Sequence, residues 1–546
     1  MKRTTRLVTA LLVALVAVGC ETSLAVDNVI DPDVERVFAT PAAIEQTISS
    51  GYQGCHNAFA NNSLMPQMLT LALESYSQLN NFFMGPRGGI PRSPVVNIRG
   101  TDGTHFANFS SHSRSGRLAV NALNALDRLT SGGGTLGTPA QNLRARAFAF
   151  FVVGCNQGWL AMTFDSAGIV VPGMASDIIP PLAGAQAVMT SALAMFDSAI
   201  AIASTAAAAG TGGFPLPDTW LSGPGQASQT NFVRLNRSYK ARFRAGVART
   251  PADRALVNWA TVIADAEAGI QADFTVSSGG TTGWNIGFVG SQMHVEPGWS
   301  QMSLMYFGMA DTSGGYDTFL GASMATRQEF LVRTPDQRWP QGATRALQRT
   351  ASVQPTSLAS RPYIQNRTVQ DAPGDPWGAS QYDFFRLKYI RNASNQGLFP
   401  EFMKAENDLL AAEGYIRTGN IAAAAAKIDL TRVARGQLPA LTGVVTTAVQ
   451  LVPGGNGCVP RVPLGPNFTS SACGTIMEAM KWEKRMETAY TGFGAWFFDG
   501  RGWGDLVQNS PLEYPVPFAE LDAIQKPYYG LGGGGTSSAA KGTYGF

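Results

Sequence analysis

The sequence has few of the residues that most often carry catalysis or bind metals. Only 14% of its 546 residues are charged, and it contains four histidines and five cysteines. No His-x-x-x-His or Cys-x-x-Cys spacing brings these residues together, so the sequence predicts neither a metal site nor a catalytic centre. Its glycine-rich runs lack the Lys-Ser/Thr pair of a phosphate-binding loop, which argues against a nucleotide site. We therefore expect a protein that uses no cofactor.

An excess of charge of either sign is also missing. The formal net charge is +3, and removal of the first 19 residues would take away three basic residues and no acidic one. The remaining chain would then be formally neutral. A neutral chain predicts neither a nucleic-acid-binding surface nor a polybasic patch that binds membranes.

The first twenty residues have the pattern of a bacterial lipoprotein signal peptide. Lys2, Arg3 and Arg6 precede an apolar run over 7–18, which is too short to span a bilayer. The run ends at Gly19-Cys20, as in a lipobox, where the cysteine is lipidated. This predicts a signal peptide over 1–19, a lipid anchor with a tether over 20–39, and a folded domain over 40–546. The alternative is an ordinary cleavable signal with an incidental cysteine.

The other cysteines are an even number, as expected for disulfides in an exported protein. They are Cys55, Cys155, Cys458 and Cys473. Four cysteines allow three pairings, and we favour Cys458 with Cys473 because they bracket a loop rich in Gly, Pro and Asn. Cys55 would then pair with Cys155 across two predicted helices. Four buried free thiols are the alternative.

Three helix starts are marked by a threonine followed by proline, at Thr40-Pro41, Thr138-Pro139 and Thr250-Pro251. The threonine hydroxyl caps free backbone amides, and proline suits the first helical position. The helices predicted from these starts cover 41–60, 139–163 and 251–272. Further helices are predicted from apolar residues at three- and four-residue spacing, over 112–130, 184–209, 236–249, 400–418, 421–435 and 475–490.

The predicted helices at 400–418 and 421–435 are joined by the short turn Thr418-Gly419-Asn420. Such a pair is similar to a tetratricopeptide-type hairpin, although the repeat consensus is absent. Between the helical blocks, long stretches rich in Gly, Pro, Ser, Thr and aromatics show little periodicity. We therefore predict a mostly α fold, with a tetratricopeptide-like helical-pair scaffold over about 40–275 and 400–500. A long irregular, ligand-side region is predicted over about 275–400.

Several motifs, in order along the chain, resemble those of the SusD/RagB-like family of outer-membrane nutrient-binding lipoproteins. They are Arg144-Ala145-Arg146-Ala147-Phe148, Ala405-Glu406 with Gly419-Asn420, Thr431-Arg432-Val433-Ala434-Arg435-Gly436, Trp482-Glu483-Lys484-Arg485-Met486-Glu487, and Tyr514-Pro515-Val516-Pro517. No one of them is specific alone, but their order behind a lipobox is. The resemblance implies that residues 40–546 form a nutrient-binding domain with a SusD-like fold. It implies a SusC-like TonB-dependent outer-membrane transporter as partner. It also implies that the lipid-anchored chain faces the extracellular side.

Two regions have the composition of a glycan site, in which aromatic faces stack on sugar rings and polar groups bind the hydroxyls. In the first, over 76–99, the candidates are Asn80, Asn81, Phe83 and Arg87. In the second, over 284–316, they are Trp284, Trp299, Tyr306 and Tyr316. The alternative is that these side chains pack the long loops.

These observations predict a binding protein that captures an oligosaccharide and delivers it to the transporter. The same receptor role with a peptide cargo is one alternative. A surface glycoside hydrolase is another, and Glu483 and Glu487 share a helix face as a carboxylate pair would. We expect solvated ion pairs with Lys484 and Arg485 to explain that pair, and so no enzymatic activity.

Overall fold

The structure is a computed structural model that describes residues 34–60, 64–77, 79–99, 104–208, 213–223, 225–279, 283–284, 301–367, 380–491 and 494–546. Helices form most of its regular structure. In the first half of the chain they are α1 (Val34–Val37), α2 (Pro41–Ala60), α3 (Leu64–Leu71), α4 (Met84–Gly88), α5 (Thr104–Ser131), α6 (Pro139–Thr163), α7 (Ala185–Ala208), α8 (Asp218–Leu221), α9 (Gln229–Gly246), α10 (Pro251–Ala255) and α11 (Trp259–Glu267). In the second half they are α12 (Leu304–Phe307), α13 (Gly315–Gly321), α14 (Arg345–Ala351), α15 (Lys388–Asn392), α16 (Lys404–Arg417), α17 (Ile421–Arg432), α18 (Ile476–Thr488), α19 (Ala495–Trp503) and α20 (Phe518–Ala523). The mostly α fold class is confirmed.

The strands are short and form separate antiparallel pairs. They are β1 (Ser166–Gly168) with β2 (Leu182–Gly184), β3 (Phe274–Ser278) with β6 (Gly397–Phe402), β4 (Ile364–Asn366) with β5 (Tyr382–Phe384), and β7 (Arg461–Pro463) with β8 (Ser471–Cys473). In the β3–β6 pair, Val276 lies opposite Phe399. This pair joins the end of the first helical block to the start of the second.

The threonine-proline starts cap helices as predicted. The Thr138 side chain accepts a hydrogen bond from the Gln141 amide, and Gln141 returns one to the Thr138 amide, which completes a capping box. The helix predicted over 251–272 is wrong, because it ends at Ala255 and a new helix begins at Trp259. The cause is Asn258, whose side chain accepts from the amide of Thr261 and caps the second helix.

Helix α6 lies at the centre of the main core and packs against α5 and α7. Its close contact with α9 depends on Gly158, where an added Cβ would lie 2.0 Å from Cε2 of Phe243. Only a residue without a side chain lets the two helices approach this closely. Within the described residues, Ala185–Thr205 of α7 is long and apolar enough to cross a membrane, by length and composition only. It packs on α6 through one face that includes Val188 and Phe196.

The predicted helical pair is present as α16 and α17, and both helices pack against α18. Gly419 has a φ of +82°, a left-handed conformation that favours glycine. Asn420 then caps α17 by accepting from the amide of Ala423. A second apolar cluster fills the space between these helices, with Leu409, Ile428 and Met480 among its buried members.

Buried ion pairs connect the helical elements. Arg254 binds both carboxylate oxygens of Glu413, and it also contacts Asp499 at 3.0 Å. Arg242 binds both oxygens of Glu406 in the same way. The motif residue Glu406 is therefore a partner inside the scaffold.

Several smaller predictions differ from the structure. Residues 34–37, within the predicted tether, form α1, and the predictions for residues 1–33 lie outside the described residues. Of the helices that were not predicted, α3 and α19 are the longest, and α12 to α15 lie within the region that was predicted to be irregular. Cys458 and Cys473 form a disulfide, as predicted. The predicted bond between Cys55 and Cys155 is wrong, because both are buried free thiols in the packed interface of α2 and α6.

Candidate ligand-binding site

The two regions in which ligand residues were predicted meet at one point. Tyr76 and Gln301 form an isolated antiparallel bridge, in which the amide of Tyr76 donates to the carbonyl oxygen of Gln301 over 2.7 Å. The reverse bond, from the amide of Gln301 to the carbonyl oxygen of Tyr76, is 2.9 Å long. Segments 79–99 and 301–320 are thus anchored side by side, although more than 200 residues separate them in the chain.

A third segment joins this bridge through Arg367. Its Nη1 donates to Oε1 of Gln301 over 3.4 Å, and its guanidinium forms a buried ion pair with Asp383. Arg367 is held by the β4–β5 pair, where its amide donates to the carbonyl oxygen of Gln381. We name Tyr76, Gln301, Arg367 and Asp383 the bridge cluster. Residues 285–300 and 368–379, which adjoin it along the chain, lie outside the described residues, and so does the predicted contact Trp299.

An exposed turn follows Tyr76 and carries three of the predicted ligand residues. Asn80 and Asn81 are exposed, and Phe83 is half-buried. Phe82 and Phe83 have φ values of +53° and +58°, which non-glycine residues rarely adopt. A bond from the amide of Phe83 to the carbonyl oxygen of Asn80 closes the turn. Two adjacent residues in this conformation cost on the order of 1–3 kcal/mol each, and such strain is concentrated at functional sites.

Four other predicted contacts lie in the interior, and the structure corrects them. Arg87 donates to Oε1 of Gln67 and to the carbonyl oxygen of Pro94, and 4% of it is exposed. A buried guanidinium with two internal acceptors is a structural link between segments. The glycines and proline that neighbour Arg87 along the chain gave no indication of this burial.

The three aromatic candidates of the second region are also packed on their faces. Trp284 lies 5.3 Å from the ring of Tyr52, between centroids, and the hydroxyl of Tyr316 donates to the carbonyl oxygen of Met305. Tyr306 donates to the carbonyl oxygen of Asp505. Trp284, Tyr306 and Tyr316 are 4%, 2% and 1% exposed, so in this structure they present no free face to a sugar. They pack in the core beneath the loops, as the alternative interpretation of these side chains predicted.

A buried polar cluster around His56 was not predicted from the sequence. His56 Nδ1 lies 2.7 Å from Oε2 of Glu401, and the hydroxyls of Tyr52 and Tyr239 lie 2.9 Å apart beside the same carboxylate. Burial is the largest cause that raises the pKa of Tyr52 well above its usual value. The cluster ties α2, α9 and β6 together beneath Trp284.

The carboxylates that favoured a hydrolase are held by arginines. Both oxygens of Glu483 accept from Arg338, at 2.6 and 2.9 Å, and all these atoms are buried. Glu487 accepts from Tyr363 at 3.1 Å and pairs with Arg386 at 3.1 Å. The prediction that these are solvated ion pairs is therefore wrong. Because arginines from other segments hold both carboxylates, the pair acts in packing α18 against the loop region.

Compared by sequence, the chain matches no protein-family model and no curated protein. Compared by structure, it is similar to a SusD homolog from Bacteroides thetaiotaomicron, with 11% identity and a TM-score of 0.54 over 91% of this chain and 98% of that one. A SusD superfamily protein from Bacteroides vulgatus is also similar, with 12% identity and a TM-score of 0.51 over 86% of this chain and 89% of that one. At this level of identity the likeness concerns the fold. The chain therefore has the fold of the SusD superfamily, as its sequence motifs predicted.

Proposed function

We propose that this chain is a lipid-anchored receptor that binds an oligosaccharide at the outer surface of a bacterial outer membrane. It then delivers the sugar to a SusC-like TonB-dependent transporter. The observation that carries the binding role is the exposed, strained turn at Asn80–Phe83, which follows the bridge cluster in the chain within a SusD-like fold. Cys20, through its lipid, provides the anchor in this proposal.

The turn has the chemistry that a sugar requires. The ring of Phe83 supplies an apolar face for stacking, and the side-chain amides of Asn80 and Asn81 both donate and accept hydrogen bonds. The fixed backbone conformation keeps these groups in place before binding, which lowers the entropic cost of association. Trp299 stays a proposed further contact.

Binding to a panel of polysaccharides, followed by calorimetry with the oligosaccharide that binds, tests the turn. Phe83→Ala is expected to weaken binding about fivefold or more, because a stacking platform is worth about 1 kcal/mol or more. Phe106→Ala is the matched control, since Phe106 is an exposed phenylalanine on α5. Equal affinity of the Phe83→Ala variant and the parent protein would move the ligand site away from this turn.

The same binding panel distinguishes a glycan ligand from a peptide ligand. Peptide mixtures are screened beside the polysaccharides, and exclusive binding of peptides would replace the glycan in the proposal. Release of reducing sugar from a bound glycan would replace the receptor by a hydrolase. Loss of that release on mutation of one carboxylate would then identify the catalytic group.

Co-purification tests the partner and the location. The tagged chain is isolated from detergent-solubilised outer membranes of its host, and the bound proteins are identified by mass spectrometry. A large TonB-dependent barrel in stoichiometric yield is the expected result. A lipidated chain at the cell surface without such a barrel would contradict delivery to a transporter while leaving glycan capture in place.

A further inference from the structure

A cavity of about 330 Å³ lies where the end of α19 meets the C-terminal segment 538–543. We name it the C-terminal cavity. Its volume falls within the range of about 300–1,000 Å³ that is usual for small-molecule sites. None of its lining residues in the described part of the chain is acidic. The basic residues that line it are Arg249, Arg501 and Lys541.

Arg501 is a buried cation in the wall of this cavity, with 1% of the residue exposed. Its Nη1 donates to the carbonyl oxygen of Leu512, and its Nη2 donates to those of Met162 and Gly246, over 2.7–2.8 Å. Its Nε has no hydrogen-bond partner in the described part of the chain. Burial, and then repulsion from Arg249, lowers the pKa of Arg501 well below its usual value. A buried guanidinium without an anion is costly, so its environment favours the arrival of one.

The acidic groups nearby are already engaged. Glu513 pairs with Arg249, with 2.8 Å between Oε2 and Nε, and its other oxygen accepts from Ser537. Asp499 pairs with Arg254 on the other side of α19. Within the described residues Glu513 pairs with Arg249 and no carboxylate forms an ion pair with Arg501, which leaves a positive excess at the cavity wall.

The rim and the wall define what kind of anion fits. Lys541 is exposed at the rim, with its Nζ 5.3 Å from the centre of the Phe468 ring. Leu506, Leu512 and the edge of Pro251 give the wall an apolar part. A bare inorganic ion would leave that apolar part in contact with water, whereas an organic anion would cover it.

We propose that the C-terminal cavity binds a small organic carboxylate. Its carboxylate accepts charge-assisted hydrogen bonds at Arg501 and Lys541, and its apolar part packs against Leu506 and Leu512. The cavity is formed by other residues than the Asn80–Phe83 turn, so this site does not depend on the proposed capture of a glycan.

Calorimetry on the mature chain, with Cys20→Ser to omit the lipid, provides the test. The probes are 3-phenylpropionate and its neutral amide, 3-phenylpropionamide, which share the same apolar part. We expect the carboxylate to bind at least about tenfold more tightly than the amide, because only the carboxylate forms charge-assisted bonds. Equal binding of the two, or binding of neither at millimolar concentration, would overturn the proposal.

Two variants locate the binding without disturbing the hydrogen bonds of Arg501. Lys541→Glu is expected to weaken carboxylate binding about fivefold, and Lys526→Glu, the same charge change at another exposed lysine, is expected to leave it unchanged. Ala540→Trp, at an exposed lining residue, fills the cavity and is expected to abolish binding. Unchanged binding in the Ala540→Trp variant, or equal loss in the two lysine variants, would show that the carboxylate binds elsewhere.

Discussion

Glu74 accepts a hydrogen bond from the backbone amide of Tyr490, a residue 416 positions away. Its other oxygen, Oε2, is buried and has no hydrogen-bond partner in the described part of the chain. Burial is the largest cause that raises the pKa of Glu74 to about 8, and the bond from Tyr490 opposes it. At neutral pH the buried carboxyl is therefore mostly protonated.

The raised pKa of Glu74 predicts how stability depends on pH. The Glu74 carboxyl keeps its proton in the folded state up to about pH 8, whereas in the unfolded state it loses the proton near pH 4.5. Its contribution to the free energy of unfolding is therefore complete below pH 4.5 and declines as pH rises to about 8. Glu74→Gln should remove this decline, which approaches about 1.4 kcal/mol per pH unit. Urea unfolding between pH 5 and 8 measures it. Asp177→Asn, at an exposed acid, should keep the slope of the parent, and an equal slope in the Glu74→Gln variant would contradict the assignment.

Glu413 responds to pH in the opposite sense. Desolvation raises its pKa, but Arg254 and the other cations outweigh this and lower it to about 2. The stability that Glu413 contributes is present above its unfolded value of 4.5 and is lost as pH falls towards 2. Glu413→Gln leaves Arg254 buried without its main partner and should cost about 3–5 kcal/mol in the free energy of unfolding. Urea unfolding at pH 7 measures this loss. Asp522→Asn, which breaks an exposed pair with Arg99, should cause little change, and similar losses in the two variants would argue against the buried pair.

The disulfide should stabilise the fold, and the two free thiols should be protected. The bond between Cys458 and Cys473 closes a loop with a sequence separation of 15, so replacing both by serine should lower the free energy of unfolding by about 3 kcal/mol. Burial raises the pKa of Cys55 well above its usual value, which suppresses the reactive thiolate. In a Cys20→Ser chain, a thiol reagent should label no cysteine in the folded state and two after unfolding. Labelling of none after unfolding would indicate a second disulfide.

The contact at Gly158 should tolerate no side chain. A methyl group there would overlap the ring of Phe243, so Gly158→Ala should destabilise the protein by about 1–3 kcal/mol or more. Gly184→Ala is the matched control, because an added Cβ at Gly184 meets no atom within 4 Å. Melting temperatures of the two variants compare them directly. An unchanged melting temperature for Gly158→Ala would show that α6 and α9 separate more easily than their packing indicates.

Local patterns predicted the helices and the fold well, because their causes lie within a few residues. The capping threonine at Thr138 and the turn at Gly419-Asn420 are examples, and the family motifs extended the prediction to the whole fold. The break at Asn258 was missed because apolar spacing continues across it, and only the cap shows the new start.

The site was predicted less completely, because burial is decided by contacts between distant segments. Trp284 and Phe83 have similar sequence surroundings, rich in glycine and polar residues. Trp284 nevertheless packs on Tyr52 in the core, whereas Phe83 is half-buried in an exposed turn. Arg87 is close to Phe83 in the chain and still lies inside. A single sequence does not show which loop packs over which side chain.

The buried ion pairs also determine how the stability of this protein responds to dissolved salt. Arginines such as Arg254, Arg338 and Arg386 are fully buried, so a chain with few charges uses several of them inside. Dissolved salt screens such buried ion pairs much less than pairs at the surface. The free energy of unfolding should therefore change little between dilute and saline buffer.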